Sequence, residues 1–123
     1  MKTHIAHLLE LTLNKNKKRI KTYLETLPAA VKGPIFEEYL KELYCGNGFL
    51  AVRKGGKDDL GADILIYSRN DPATPLLLVQ AKNQKRPLSE RDTRAELMKF
   101  EEKAQHTYNC HHFVIYSLNG FTE

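Results

Sequence analysis

Three residues, Asp63, Gln80 and Lys82, could carry out phosphate chemistry together. A carboxylate and an amide oxygen are donors that a hard cation prefers, and such a cation polarises a phosphate and activates water for phosphodiester hydrolysis. A lysine beside them can orient the attacking water or stabilise the charge that develops on the phosphate. Gln80 and Lys82 also end a stretch that otherwise reads Leu76-Leu77-Leu78-Val79. Polar residues that break a local apolar pattern concentrate at functional sites.

Strand alternation brings the three together. Ala62 to Tyr67 and Leu76 to Lys82 read as strands, and the turn formers from Ser68 to Pro75 make them an antiparallel hairpin with a long loop. Successive side chains face opposite ways, so Gln80 and Lys82 share a face and Ala81 takes the other. Asp63, Leu65 and Tyr67 likewise share a face, opposite to Ala62, Ile64 and Ile66. If Tyr67 pairs with Leu76, Asp63 lies opposite Gln80; a slip of two residues puts it opposite Lys82. Either register gathers the trio within about 4.5–8 Å. The plainer reading is a strand-end lysine whose ammonium reaches solvent and an aspartate closing the turn begun at Lys57.

A fourth candidate comes from a helix. Glu37 lies about 100° from Phe36 on a helical wheel, at the rim of the apolar face, whereas Glu38 points nearly opposite. A rim carboxylate can reach the end of a sheet packed below it, which favours Glu37.

The elements that must hold these residues follow from periodicity. Ile5, Leu8, Leu9 and Thr12 form one helical stripe, and Ile20, Tyr23, Leu24 and Leu27 a second that Pro28 ends. A third helix is expected from Gly33-Pro34, with Phe36, Tyr39, Leu40 and Leu43 inward and Gly46-Asn47-Gly48 as its stop. Phe49 to Arg53 reads as a short strand before the turn Gly55-Gly56. Ser89 caps a fourth helix whose inward stripe is Leu97, Phe100, Ala104 and Tyr108. His112 to Leu118 is the last strand. The fold class is therefore α/β: helix, three-strand antiparallel meander, helix, strand, over 33–123, behind a helical N-terminal extension over 1–32.

The bulk composition agrees with one soluble domain. The chain has 123 residues, 41% hydrophobic and 28% charged, with a net charge of +4. Its longest apolar runs, Leu76 to Val79 among them, are far shorter than the roughly 20 residues of a membrane helix. Two cysteines, Cys45 and Cys110, suit free thiols in a reducing compartment. With no signal core near Met1, the expected location is cytoplasmic. His106, Cys110, His111 and His112 read as surface or packing residues, since Asn109 should end the helix before a zinc face could form.

Gly33, Phe36-Glu37, Gly55-Gly56, Asp59-Leu60-Gly61-Ala62-Asp63 and Gln80-Ala81-Lys82 together resemble the Mrr-like branch of the PD-(D/E)XK nuclease superfamily, over roughly Gly33 to Thr122. The resemblance implies a restriction endonuclease-like fold that cleaves DNA, taken as double-stranded, with Mg²⁺, for which Mn²⁺ should substitute. Its setting would be restriction, defence or DNA processing. Asp63 would match the principal metal ligand, Gln80 the position usually held by an acid, Lys82 the catalytic lysine and Glu37 a helix-borne acid that assists the metal. Asp59 matches the first acid of the motif as an accessory.

A DNA substrate gives the basic residues a role. Lys85, Arg86, Arg91 and Arg94 follow the candidate lysine, where a loop and a helix start could grip the backbone. Asn14 to Lys21 holds five basic residues that read better as a solvated helix end. A homodimer would suit a two-strand cut, and further domains of a longer protein could choose the target. The competing readings are a non-catalytic DNA-binding module or an assembly domain on the same fold.

Overall fold

The computed structural model describes residues 1–54 and 61–122. Gly55, Gly56 and Asp59 of the expected motif lie outside the described residues. The elements run α1 (Lys2–Leu13), α2 (Lys17–Thr26), α3 (Ala29–Gly46), β1 (Leu50–Arg53), β2 (Ile64–Tyr67), β3 (Leu77–Lys82), α4 (Glu90–Lys99), a π-helical turn (Phe100–Ala104), α5 (Gln105–Tyr108) and β4 (Phe113–Ser117). The strands form one four-stranded sheet in the order β1-β2-β3-β4. β1, β2 and β3 are an antiparallel meander, and β4 lies parallel to β3. The expected α/β order is observed.

Two layers of helices sandwich the sheet, as its alternation demands. Ile64, Ile66 and Val79 join Ile35, Phe36, Tyr39 and Leu40 of α3, together with Ile5, Leu8 and Leu24 of α1 and α2, in the larger core. Leu65 and Leu78 face the other way and pack with Phe100, Ala104 and Cys110 in a smaller one. The first two helices thus share their core with α3 and the sheet. On α3 the buried positions 32, 35, 36, 39 and 40 trace the stripe of a helix that packs on one side.

Two local expectations change. The third helix begins at Ala29, capped by Pro28, so Pro34 falls inside it. Proline there removes one helical hydrogen bond near the helix start, and Ala29, Ala30 and Val31 supply the turn before it. Ala62 does not share a face with Ile64 and Ile66 but packs with Leu65 in the smaller core. The β2 ladder starts only at Ile64, after the chain has turned at Gly61 with φ +83°, so strand alternation does not extend back to Ala62.

Helix ends follow their local chemistry. Ser89 Oγ accepts from the Asp92 N–H at 3.1 Å and starts α4. Asn109 adopts the left-handed conformation, φ 50°, and stops α5. Asparagine tolerates that geometry better than most residues. No helix among the described residues is long and apolar enough to cross a membrane.

Candidate active site

The β2–β3 register decides the geometry of the trio. Leu65 pairs with Leu78 and Ile64 with Val79, the register in which Tyr67 faces Leu76, and the ladder ends there, one residue short of Asp63. This is the first of the two registers the sequence allowed. The Asp63 backbone N–H donates to the Val79 carbonyl at 2.8 Å. Asp63 Oδ2 in turn accepts from the Ala81 N–H at 2.7 Å. The carboxylate is therefore held against the backbone between Gln80 and Lys82.

Gln80 and Lys82 lie on the sheet face that α4 covers, and there they meet a residue that sequence reasoning missed. Glu96 Oε2 accepts from Gln80 Nε2 at 2.7 Å, and Glu96 Oε1 accepts from Lys82 Nζ at 3.0 Å. Lys99 Nζ stands 3.6 Å from Oε2. Burial pushes the Glu96 carboxyl upward, but the hydrogen bonds from Gln80 and Lys82 and the charges of Lys82 and Lys99 together outweigh it and hold it below its usual value. Gly61 lies over the same cluster: a Cβ there would sit 3.3 Å from Lys99 Cδ and 3.6 Å from Gln80 Nε2.

Gln80 is 5% exposed, and its Oε1 is buried without a hydrogen-bond partner among the described residues. Such an atom ordinarily costs about 1–3 kcal/mol. Exchanging its amide ends would set oxygen against the Glu96 carboxylate, so the orientation is fixed by chemistry. That orphaned oxygen and the Asp63 carboxylate, held one residue further along the strand at the Ala81 N–H, are both donors of the kind a hard cation takes. Magnesium commonly takes one or two carboxylates and completes its shell with water and substrate phosphate. Asp63 and Gln80 fit it on those terms. Among the described residues, no group of three or more His, Cys, Asp or Glu side chains could hold a metal ion.

Glu37 lies against the end of β1. Its Oε1 accepts from Arg53 Nη2 at 3.4 Å, and Arg53 pairs with Ile64, the neighbour of Asp63. Its helix α3 packs on the opposite sheet face from Gln80 and Lys82. Glu38 does not point away as the wheel suggests, because its Oε2 accepts from Arg53 Nη1 at 3.5 Å. Both carboxylates are largely covered, since α1 also packs against α3 and leaves it no fully open side. The N-terminal end of α3 approaches the end of β3: a Cβ on Gly33 would come within 3.0 Å of Asn83 Nδ2. Asp59 lies outside the described residues.

A family model described as restriction endonuclease, Mrr_cat, matches residues 29–123. The chain belongs to that family. In this Mrr_cat domain the match begins at the first residue of α3 and takes in the sheet, α4 and β4. No curated protein and no solved structure matches the chain.

The four basic residues of the Mrr_cat domain that were expected to grip DNA, Lys85, Arg86, Arg91 and Arg94, fall into two groups. Lys85 and Arg86 are exposed and line a cleft of about 630 Å³ with Ser89, Asp92 and Thr122. Their loop is braced from behind: Asn119 Nδ2 donates to the Gln84 carbonyl at 2.6 Å, and Leu88 bridges to Phe121. Arg91 and Arg94 border a separate hollow on α4 with Glu90 and Met98. Arg94 is held there by Glu90 at 2.6 Å.

Glu96 escaped notice because Leu97 was expected to take the inward place on its helix. Leu97 is 43% exposed. The half-covered positions are Thr93 and Glu96, which lead into buried Phe100 and Ala104. The available signal was a carboxylate four residues before Phe100, the first anchor of the stripe.

Proposed function

We propose that this Mrr_cat domain is a metal-dependent endonuclease that hydrolyses DNA phosphodiester bonds, in restriction, defence or DNA processing. One observation carries the reading. The Asp63 carboxylate is bonded to the backbone between Gln80 and Lys82, and the Gln80 side-chain oxygen is buried with no partner among the described residues.

Asp63 and Gln80 Oε1 would hold Mg²⁺, or Mn²⁺ in its place, with Glu37 assisting from the rim beside Arg53. The ion supplies polarisation of a phosphate oxygen and a more acidic bound water. Lys82 spends one of its three ammonium donors on Glu96, which leaves two for the attacking water or the charge on the phosphate. Lys85 and Arg86 contact the DNA backbone from their braced loop, and Arg91 and Arg94 extend the contact along α4.

Supercoiled plasmid is the direct test. The wild-type protein should nick or linearise it with Mg²⁺ or Mn²⁺ and not in EDTA, while Asp63→Ala and Lys82→Ala should abolish cutting and keep the fold. Full activity in both variants would sink the assignment. Salt-sensitive DNA binding without any cutting by the wild type would favour a binding module instead.

A further inference from the structure

We propose that Glu96 is the positioning residue of this site. Its one carboxylate sets which end of the Gln80 amide is left unpartnered and holds the Lys82 ammonium at the end of β3. The proposal deepens the nuclease reading and rests on Asp63, Gln80 and Lys82 being the working centre.

The two ends of a glutamine amide are nearly identical in shape, so packing alone does not choose between them; hydrogen bonding does. An ionised carboxylate only accepts, so Glu96 Oε2 at 2.7 Å admits the Gln80 NH₂ and excludes its oxygen. Oε1 is turned away from Glu96, buried and unpartnered among the described residues, where it can serve a cation. The second oxygen, Oε1 of Glu96, fixes Lys82 at 3.0 Å. A neutral ligand and a cationic side chain are thus oriented by the same carboxylate.

The surroundings keep Glu96 to that task. Its side chain is 14% exposed, and Lys99 draws on the same oxygen as Gln80. Gly61, with φ +83°, covers the cluster without a side chain; a Cβ there would come within 3.7 Å of Glu96 Oε2. Glu96 touches neither DNA nor a reacting atom in this scheme and acts through Gln80 and Lys82.

The test reads the Gln80 amide directly. In the metal-free, ¹⁵N-labelled wild-type protein, the Gln80 side-chain NH₂ should give a downfield, slowly exchanging proton. Glu96→Leu, which has no acceptor, should lose that signature, and Glu96→Gln, whose one amide oxygen can serve Gln80 or Lys82 but not both, should weaken it, with both variants folded by circular dichroism. The Mn²⁺ affinity of Glu96→Gln should fall by about 10–100-fold, the usual effect of removing a group that orients a ligand. Cleavage should lose kcat by a similar factor with little change in KM for DNA, and Glu96→Asp, which keeps the charge, should recover part of it. Free-amide behaviour of Gln80 in the wild type overturns the proposal without any variant, as does unchanged Mn²⁺ affinity in Glu96→Gln. A wild-type protein that shows the signature and Glu96-dependent Mn²⁺ binding, yet cuts no DNA, supports the positioning role and overturns the nuclease reading alone.

Discussion

Asp63 and Ala81 are joined by a hydrogen bond of 2.7 Å from the Ala81 N–H to Asp63 Oδ2. The bond ties a side chain from the start of one strand to the backbone of the next, between the two polar residues of that strand. Asp63→Asn can keep it, because an amide oxygen also accepts, but loses the charge. We expect DNA cleavage to fall by at least about 100-fold, near 3 kcal/mol of transition-state stabilisation. Thermal melting should move by only a few degrees. A variant that cuts as fast as wild type would show that the carboxylate charge has no part in the reaction.

Lys82→Met should do more than remove an ammonium. Glu96 Oε1 would lose its donor while its side chain stays 14% exposed. A charged acceptor left short in that way costs about 1–3 kcal/mol. Urea titration should show that loss together with the loss of cleavage, and Glu96→Gln in the same chain should recover part of the stability.

Gly61→Ala tests the cover of the site. Its left-handed backbone costs a residue with a Cβ about 1–2 kcal/mol. The added methyl would also press on Lys99 Cδ at 3.3 Å. Lower stability and slower cleavage should appear together, with the Lys99→Ala background relieving the crowding but not the backbone strain.

The pH dependence has a definite sign. The Glu96 carboxyl is held below its ordinary value of 4.5. Its contribution to folding is therefore complete above that value and is lost as pH falls through the lower folded-state pKa. For metal-free protein, the stability gap between wild type and Glu96→Gln should shrink on acidification below about pH 5. A constant gap in urea titrations from pH 6 to pH 3 would contradict the shift.

DNA binding should divide the basic residues. Lys85→Ala and Arg86→Ala should each reduce the salt dependence of binding by about 0.9 in log–log slope if each meets one phosphate. Arg94→Ala should matter less, because Glu90 already holds that guanidinium at 2.6 Å. Equal slopes for all three variants would remove the distinction between loop and helix.

The sheet was legible because its constraints are local and periodic. Pairing Tyr67 with Leu76 gave the register in which Leu65 meets Leu78. Ser89 and Asn109 marked their helix ends by chemistry that acts within a turn. The α4 face was not legible, since a search for apolar stripes assigns Leu97 inward, and a site is where that rule is suspended. Glu37 and Glu38 show the same limit. A wheel treats one buried face, whereas α3 is covered by α1 and by the sheet, and both glutamates end at Arg53.

The π-helical turn from Phe100 to Ala104 bears on how such a chain can change length. Gln105 donates its N–H back to the Phe100 carbonyl, five residues away, so the turn accommodates one residue more than a regular helix would. Insertions or deletions beyond it would disturb Tyr108 and the approach to β4. One placed between Phe100 and Glu96 would rotate that glutamate by about 100° from Gln80 and Lys82. Related chains should therefore keep a fixed spacing from Ser89 to Phe100 and take up a change of one residue within the Phe100–Ala104 turn itself.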